Sequence, residues 1–174
     1  FVLARLTYQD AFNETAVKGK ALKFSSSAIT ELSRSNLIDD FYCYGTLIMH
    51  INGLENKQPI TLTNDLDRHM KNDYTVTYAD GYDASSVDGN GRLCLLGRTA
   101  ADTYNVHPGD EIAFLSEEMY SFLGRAFGNE EKFQAAVKRA NKMYKVAGII
   151  DSADADISSG IFTAANSAAE DAYG

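Results

Sequence analysis

The chain has 174 residues, 45% of them hydrophobic, which suffices for the core of a single domain spanning 1–174. A formal net charge of −8 argues against a nucleic-acid partner, because phosphate binding needs clustered Lys and Arg. No apolar run approaches the ~20 residues of a membrane helix, and the opening Phe1-Val2-Leu3, with neither Met nor a signal peptide, reads as the start of a piece excised from something longer.

Residues 1 to 24 mix apolar and polar positions without a clean period, with strand character at Phe1–Tyr8 and Lys20–Phe24. Ser25, Ser26 and Ser27 offer N-caps to a helix that turns Ile29 and Leu32 inward. Leu37–Ile51 carries the strongest strand pattern. Phe41, Cys43, Leu47, Met49 and Ile51 share one face, and Tyr42, Tyr44, Thr46, Ile48 and His50 the other. Gly45 inside it predicts a bulge or bend, and Asn52-Gly53 predicts a turn. Pro59–Thr63 reads as a strand, followed by a short helix through Met70 that Asn64 caps, with Asp65 and Asp67 near its positive end. Tyr74–Tyr78 is a further strand, and Gly81–Gly91 is rich in turn residues.

Arg92–Ser116 is the most sharply punctuated stretch. It reads as a strand at Leu93–Leu96, a short helix with Ala100, Ala101 and Tyr104 on one side, a tight turn and a second strand at Glu111–Leu115. The turn, His107-Pro108-Gly109-Asp110, has the Pro-Gly order of type II, with Gly at the position that needs φ > 0. Glu117–Phe127 predicts a helix carrying Met119, Phe122 and Leu123. Asn129 caps another, whose Phe133, Ala136, Val137, Ala140 and Tyr144 fall on one face, with Lys138, Arg139, Lys142 and Lys145 toward its C-terminal end. Val146–Ile150 is a strand, Asp151–Gly160 an acidic, Ser-rich loop, Ile161–Thr163 a last strand, and the Ala-rich tail has helical composition. The sum is an α+β fold of mixed sheets and short helices, with no visible repeat.

Chemistry is sparse. Asp65 and His69 are four apart on a helix face, with Asp67 between them, but a zinc site wants further Cys or His nearby. Asp151, Asp154 and Asp156 lack the central Gly and terminal Glu of an EF-hand loop. The three histidines, His50, His69 and His107, accompany no nucleophile elbow, and Gly89-x-Gly91 opens no helix as a dinucleotide site requires. These patterns predict no enzyme, no cofactor and no metal. The residues favour buried free thiols at Cys43 and Cys94, while an extracellular location leaves a bridge between them open. The candidate contact surfaces are the Tyr42/Tyr44 strand face and the basic helix end at Lys138, Arg139 and Lys142.

Three stretches resemble a known family. Gly97-Arg98-Thr99-Ala100-Ala101 followed by Val106-His107-Pro108-Gly109-Asp110-Glu111-Ile112 is similar to a Gly-Arg-x-x-Ala … Val-x-x-Gly-Asp-x-apolar stretch in the extracytoplasmic domains of MacB/FtsX-like ABC transporter permeases. Tyr144–Asp151 resembles the strand that follows it there, and Ile29, Leu32 and Leu37-Ile38-Asp39 resemble the helix and strand near the family's N-terminal end. The resemblance implies a membrane-proximal lobe plus a smaller inserted distal lobe, placed here at about residues 54–118. It also implies a domain tethered at both ends on the extracytoplasmic side of a bacterial cell membrane, so that both termini lie at one end of it. The implied partners are a cytoplasmic ATP-binding subunit, a second permease copy or homologue, and a peptide, lipid or protein substrate. From the residues alone, the competing expectation is a secreted or cell-surface protein-binding module that uses the Tyr-rich strand.

Overall fold

The structure is a computed structural model that describes residues 34, 42, 44–53, 55–70, 74–87 and 91–164. The expected strands at Phe1–Tyr8 and Lys20–Phe24, the helix bearing Ile29 and Leu32, the tail and Cys43 lie outside the described residues. Strand β1, Tyr44–Ile51, turns Leu47, Met49 and Ile51 inward and Tyr44, Thr46 and Ile48 outward, as its alternation predicts. Gly45 makes no bulge, since it pairs in regular register with Leu62. Asn52 and Gly53 both take positive φ, 53° and 71°, as the Asn-Gly turn requires.

After the turn come β2 (Lys57–Thr63), α1 (Leu66–Met70), β3 (Thr75–Tyr78), α2 (Ala84–Val87), β4 (Leu93–Gly97), α3 (Arg98–Tyr104) and β5 (Glu111–Ser116). Then follow α4 (Glu117–Ala126), α5 (Glu130–Ala140), β6 (Lys142–Asp151), α6 (Ala155–Ser159) and β7 (Ile161–Ala164). The polar residues around the helices explain their starts. Ser116 caps α4, with Glu117 and Glu118 in the first turn. Asn129 caps α5, with Glu130 and Glu131 in its first turn and Lys138 and Arg139 in its last. The cap of α1 is Asp65 and not Asn64: the Asp65 carboxylate accepts the Arg68 N–H at 2.9 Å. Both stretches expected to be loops contain a short helix. Asp83 accepts the Ser86 N–H at the start of α2, and Asp154 accepts from Asp156 and Ile157 at the start of α6.

Six strands close into a barrel in the order β6–β4–β7–β2–β1–β5, with β5 returning to β6, and β3 extends the sheet beyond β6. The long β6 serves three neighbours. β4 runs along one edge, β5 along the first half of the other and β3 along its second half. The pairings repeat: β1–β2–β4 and β5–β6–β7 relate by an approximate two-fold. β1–β2 and β5–β6 are antiparallel, β2–β7 and β6–β4 are parallel, and β1–β5 and β4–β7 are antiparallel across the axis. The span about 54–118 does not stand apart as an inserted lobe. Its strands β2, β4 and β5 are staves of the same barrel as β1, β6 and β7, because among the described residues their edges find partners only there.

The barrel interior holds Leu47, Met49, Ile51, Ile60, Leu62, Cys94, Leu96, Ile112, Phe114, Tyr144, Val146, Ile149 and Ile161. Tyr144 belongs to β6, not to the helical face expected of it. Its ring is fully buried and lies 4.7 Å from Phe114. The helix stops at Ala140, and the strand starts at Lys142, well before Val146. A bulge in β6 (Cys94 pairs Val146, Leu95 pairs Gly148) inserts Ala147 and shifts the alternation. Ile149 thus faces the interior, while Ile150 joins Leu95, Phe162, Met70 and Val87 in a second core under α1, α2 and β3. Cys94 is a buried free thiol, its Sγ 3.7 Å from the Lys145 carbonyl, and burial pushes its pKa up.

The His107–Asp110 turn docks this unit onto β6: Gly109 N donates to Val146 O at 2.7 Å and Val146 N to Asp110 O at 2.8 Å. Gly109 has φ +94°, the left-handed value foreseen for it, and an added Cβ would meet Ala79 Cβ at an ordinary 3.8 Å. Backbone strain alone therefore sets the cost of a side chain. Gly109→Val should lower stability by about 1–3 kcal/mol, read as a drop in the thermal unfolding midpoint; an unchanged midpoint would mean the turn relaxes without loss.

Candidate functional site

Two features stand out on the outward face of β1. At its start, Tyr42 and Tyr44 stack with ring centroids 5.6 Å apart, and the Arg68 guanidinium sits 4.8 Å over the Tyr42 ring. The Tyr42 hydroxyl lies 3.1 Å from His69 Nδ1, and the His69 ring is 5.8 Å from Tyr44 and 6.1 Å from Phe162. Burial lowers the His69 pKa, which keeps the ring neutral near pH 7. Tyr44 remains 66% exposed. The strand pattern finds the tyrosines; α1 adds Arg68 and His69, which no spacing rule ties to residues more than twenty positions earlier.

The basic candidates divide. Lys138 and Arg139 lie exposed in the last turn of α5. Lys142 is exposed too, but as the first residue of β6, opposite Phe114 of β5, because the helix has already ended. No contact among the described residues joins these three to the tyrosine cluster. The acidic candidates are engaged elsewhere. Asp65 caps α1, Asp67 accepts from the Tyr74 hydroxyl, Asp154 caps α6, and Asp151 holds Arg98 through two hydrogen bonds of 2.9 Å.

The second feature went unforeseen: a groove of ≈ 360 Å³ between β1 and α4. Its floor is Leu47, Ile48 and Met49, and its far wall is Ser116, Glu117, Glu118, Ser121 and Arg125. Glu117, Ser121 and Arg125 fall at i, i+4 and i+8, one stripe of the helix. His50 fixes that wall. It is 3% exposed, its Nε2 lies 2.8 Å from Glu117 Oε2, and Tyr120 stacks on its ring at 3.7 Å. Ser121 donates to Glu117 Oε1, and Lys57 Nζ stands 3.5 Å from Oε2. The hydroxyl of Ser121 thus meets the carboxylate and not the imidazole, whereas a serine nucleophile needs its base at the hydroxyl. The available signal was Ile48, an apolar residue on an otherwise polar strand face, 44% exposed.

Three surface carboxyls titrate below their ordinary range: Asp151 through hydrogen bonds from Arg98, Glu117 through those from His50 and Ser121, and Asp83 through those from Ser85 and Ser86. Each has a folded pKa below its unfolded one. Their stabilisation is complete above the usual carboxylate range, about pH 4, and is lost as pH falls through the depressed values. The unfolding midpoint should therefore drop below about pH 4, and Asp151→Asn should flatten that acid limb in a pH series of melts. A limb of unchanged slope would remove Asp151 from this role.

No protein-family model matches the chain, and no curated protein matches it.

Proposed function

We propose that the chain is a non-catalytic extracytoplasmic domain of a bacterial ABC transporter permease of the MacB/FtsX-like type. It would couple ATP hydrolysis in a cytoplasmic ATP-binding subunit to substrate export, or to activation of an extracytoplasmic partner. The observation that carries this reading is where the first described strand begins and the last one ends. Tyr44, the first residue of β1, and Ala164, the last of β7, both pair with Thr63, one on each side. Two strand spacings put them ~10 Å apart. A domain inserted between two membrane helices needs both tethers to leave from one end. Further support comes from two of the resembled segments, the Gly109-Asp110 turn and the Tyr144–Asp151 strand, which are bonded directly to each other.

In this reading the domain is a coupling element. An ATP-driven change in the membrane shifts the populations of two domain arrangements, and the barrel passes that bias outward to a second permease copy or homologue, or to a peptide, lipid or protein substrate. The test is a full-length permease in which residues 25–163 are replaced by a flexible linker. It should assemble with its ATPase and hydrolyse ATP yet lose its extracytoplasmic output; wild-type output would refute the coupling role. The Tyr42/Tyr44 cluster, exposed at Tyr44, favours the second reading, a secreted or cell-surface protein-binding module. Apolar spans on both sides of the domain in the full-length protein decide for the permease, and a signal peptide with no following span decides for the module.

A further inference from the structure

We propose that the groove between β1 and α4 takes an extended peptide segment as an added antiparallel strand on the edge of β1. β5 pairs β1 only through Met49, His50 and Ile51 and then turns away as α4. Among the described residues, Tyr44–Ile48 therefore pair with β2 alone, and their other edge is open.

The alternation of the ladder says which groups face that edge. Asn52 N donates to Ala113 O on the β5 side, so His50, Ile48 and Thr46 aim their N–H and C=O the same way. The β2 partner of Ile48 is Pro59, which has no N–H, as befits a pair not hydrogen-bonded to each other. Ile48 thus presents its donor and acceptor into a groove whose opposite wall is a helix, and Thr46 presents its own on the same edge just beyond the groove's lining. A strand edge facing a helix selects an extended backbone first and side chains second.

Charge sets the direction and the chemistry of the segment. An occupant antiparallel to β1 continues the line of β5 past Ser116, so its N-terminal end lies beside Glu117 and Glu118. Arg125 lies two helical turns further on, ~12 Å along α4. Neither Glu118 nor Arg125 is held in an ion pair among the described residues. The fitting segment opens on Lys or Arg, alternates apolar and polar residues over Ile48, and closes on Asp, Glu or a free carboxylate. A second copy of this chain fits less well, because its own α4 would arrive on the same face of the joined sheet and fill the groove. The inference rests on the edge itself, and it holds for either reading of the domain's function.

Panning a displayed library of short random peptides against the full chain tests it. Enriched peptides should carry the basic-to-acidic order with alternating apolar residues, and binding should slow hydrogen exchange at the Thr46 and Ile48 amides. N-methylating alternate amides of a synthetic binder should weaken it on the order of tenfold or more. Thr46→Pro should do the same, since the N–H it removes faces the open edge and not β2. Arg125→Glu should turn the preference toward peptides ending in Lys or Arg. If Thr46→Pro fails to fold, the N-methylated peptide on the unaltered chain still decides. The proposal is overturned if nothing is enriched, if N-methylation leaves affinity unchanged, or if the Ile48 amide is protected by a concentration-dependent dimer that peptide does not disperse.

Discussion

Gly97→Ala should destabilise the domain by about 3 kcal/mol or more. An added Cβ would sit 2.2 Å from the carbonyl oxygens of both Ile157 and Ser158. These are backbone atoms in α6, so no side chain can swing aside. Gly97 also donates its N–H to Gly160 O at 2.8 Å, which ties the end of β4 to the residue that leads into β7. Relief would require α6 to lift, and that would break this bond and disturb the Leu96–Ile161 pairing of β4 with β7. Urea titration reads the loss. Gly128→Ala is the matched control, because its Cβ meets nothing within 4 Å and should stay within about 0.5 kcal/mol of the parent. Equal midpoints for the two variants would show that α6 is not seated on Gly97.

Tyr144→Ala should cost about 3–5 kcal/mol, the range for an aromatic deleted from a closed core. The ring fills the barrel beside Phe114, with Ile112 of β5 paired directly across from it. β5 and β6 cannot close on the void without unpairing. Its neighbour Lys145 points outward and is exposed, so Lys145→Ala should change stability little. A small loss at Tyr144 would mean that the barrel does not close around its ring.

The misreading of Tyr144 has a physical cause. Eleven residues after Phe133 is three helical turns, so a strand residue that happens to fall in phase looks like one more residue of the stripe. Asn141 ends the helix, yet it carries less stopping signal than a Gly would. The Arg92–Ser116 unit was legible because its punctuation is local, above all a left-handed Gly after Pro. The inward set of β1 was legible for the same reason. Barrel closure was not, because the parallel pairs Thr61–Phe162 and Leu93–Lys145 join stretches whose own patterns say nothing of each other. The short helices α2 and α6 were hidden because Ser and Asp near their starts serve loops equally well. Of the candidate surfaces, the tyrosine pair could be read from alternation. The groove could not, because an open edge is a property of what fails to pair.

The placement of Tyr44 and Ala164 on either side of Thr63 makes the barrel's resistance to force depend on direction. A pull on both ends together, against a partner holding the Asn52-Gly53 turn, runs along the strands. β1 carries its share through its own backbone, while the load on Ala164 reaches the turn through the β2–β7 hydrogen bonds, which are loaded side by side, in shear, and must fail together. Drawing the two ends apart sideways loads the same ladders across the strands, and the bonds open one after another from Thr63, like a zipper. The domain is thus strong in thrust along its strands and weak to spreading at its base.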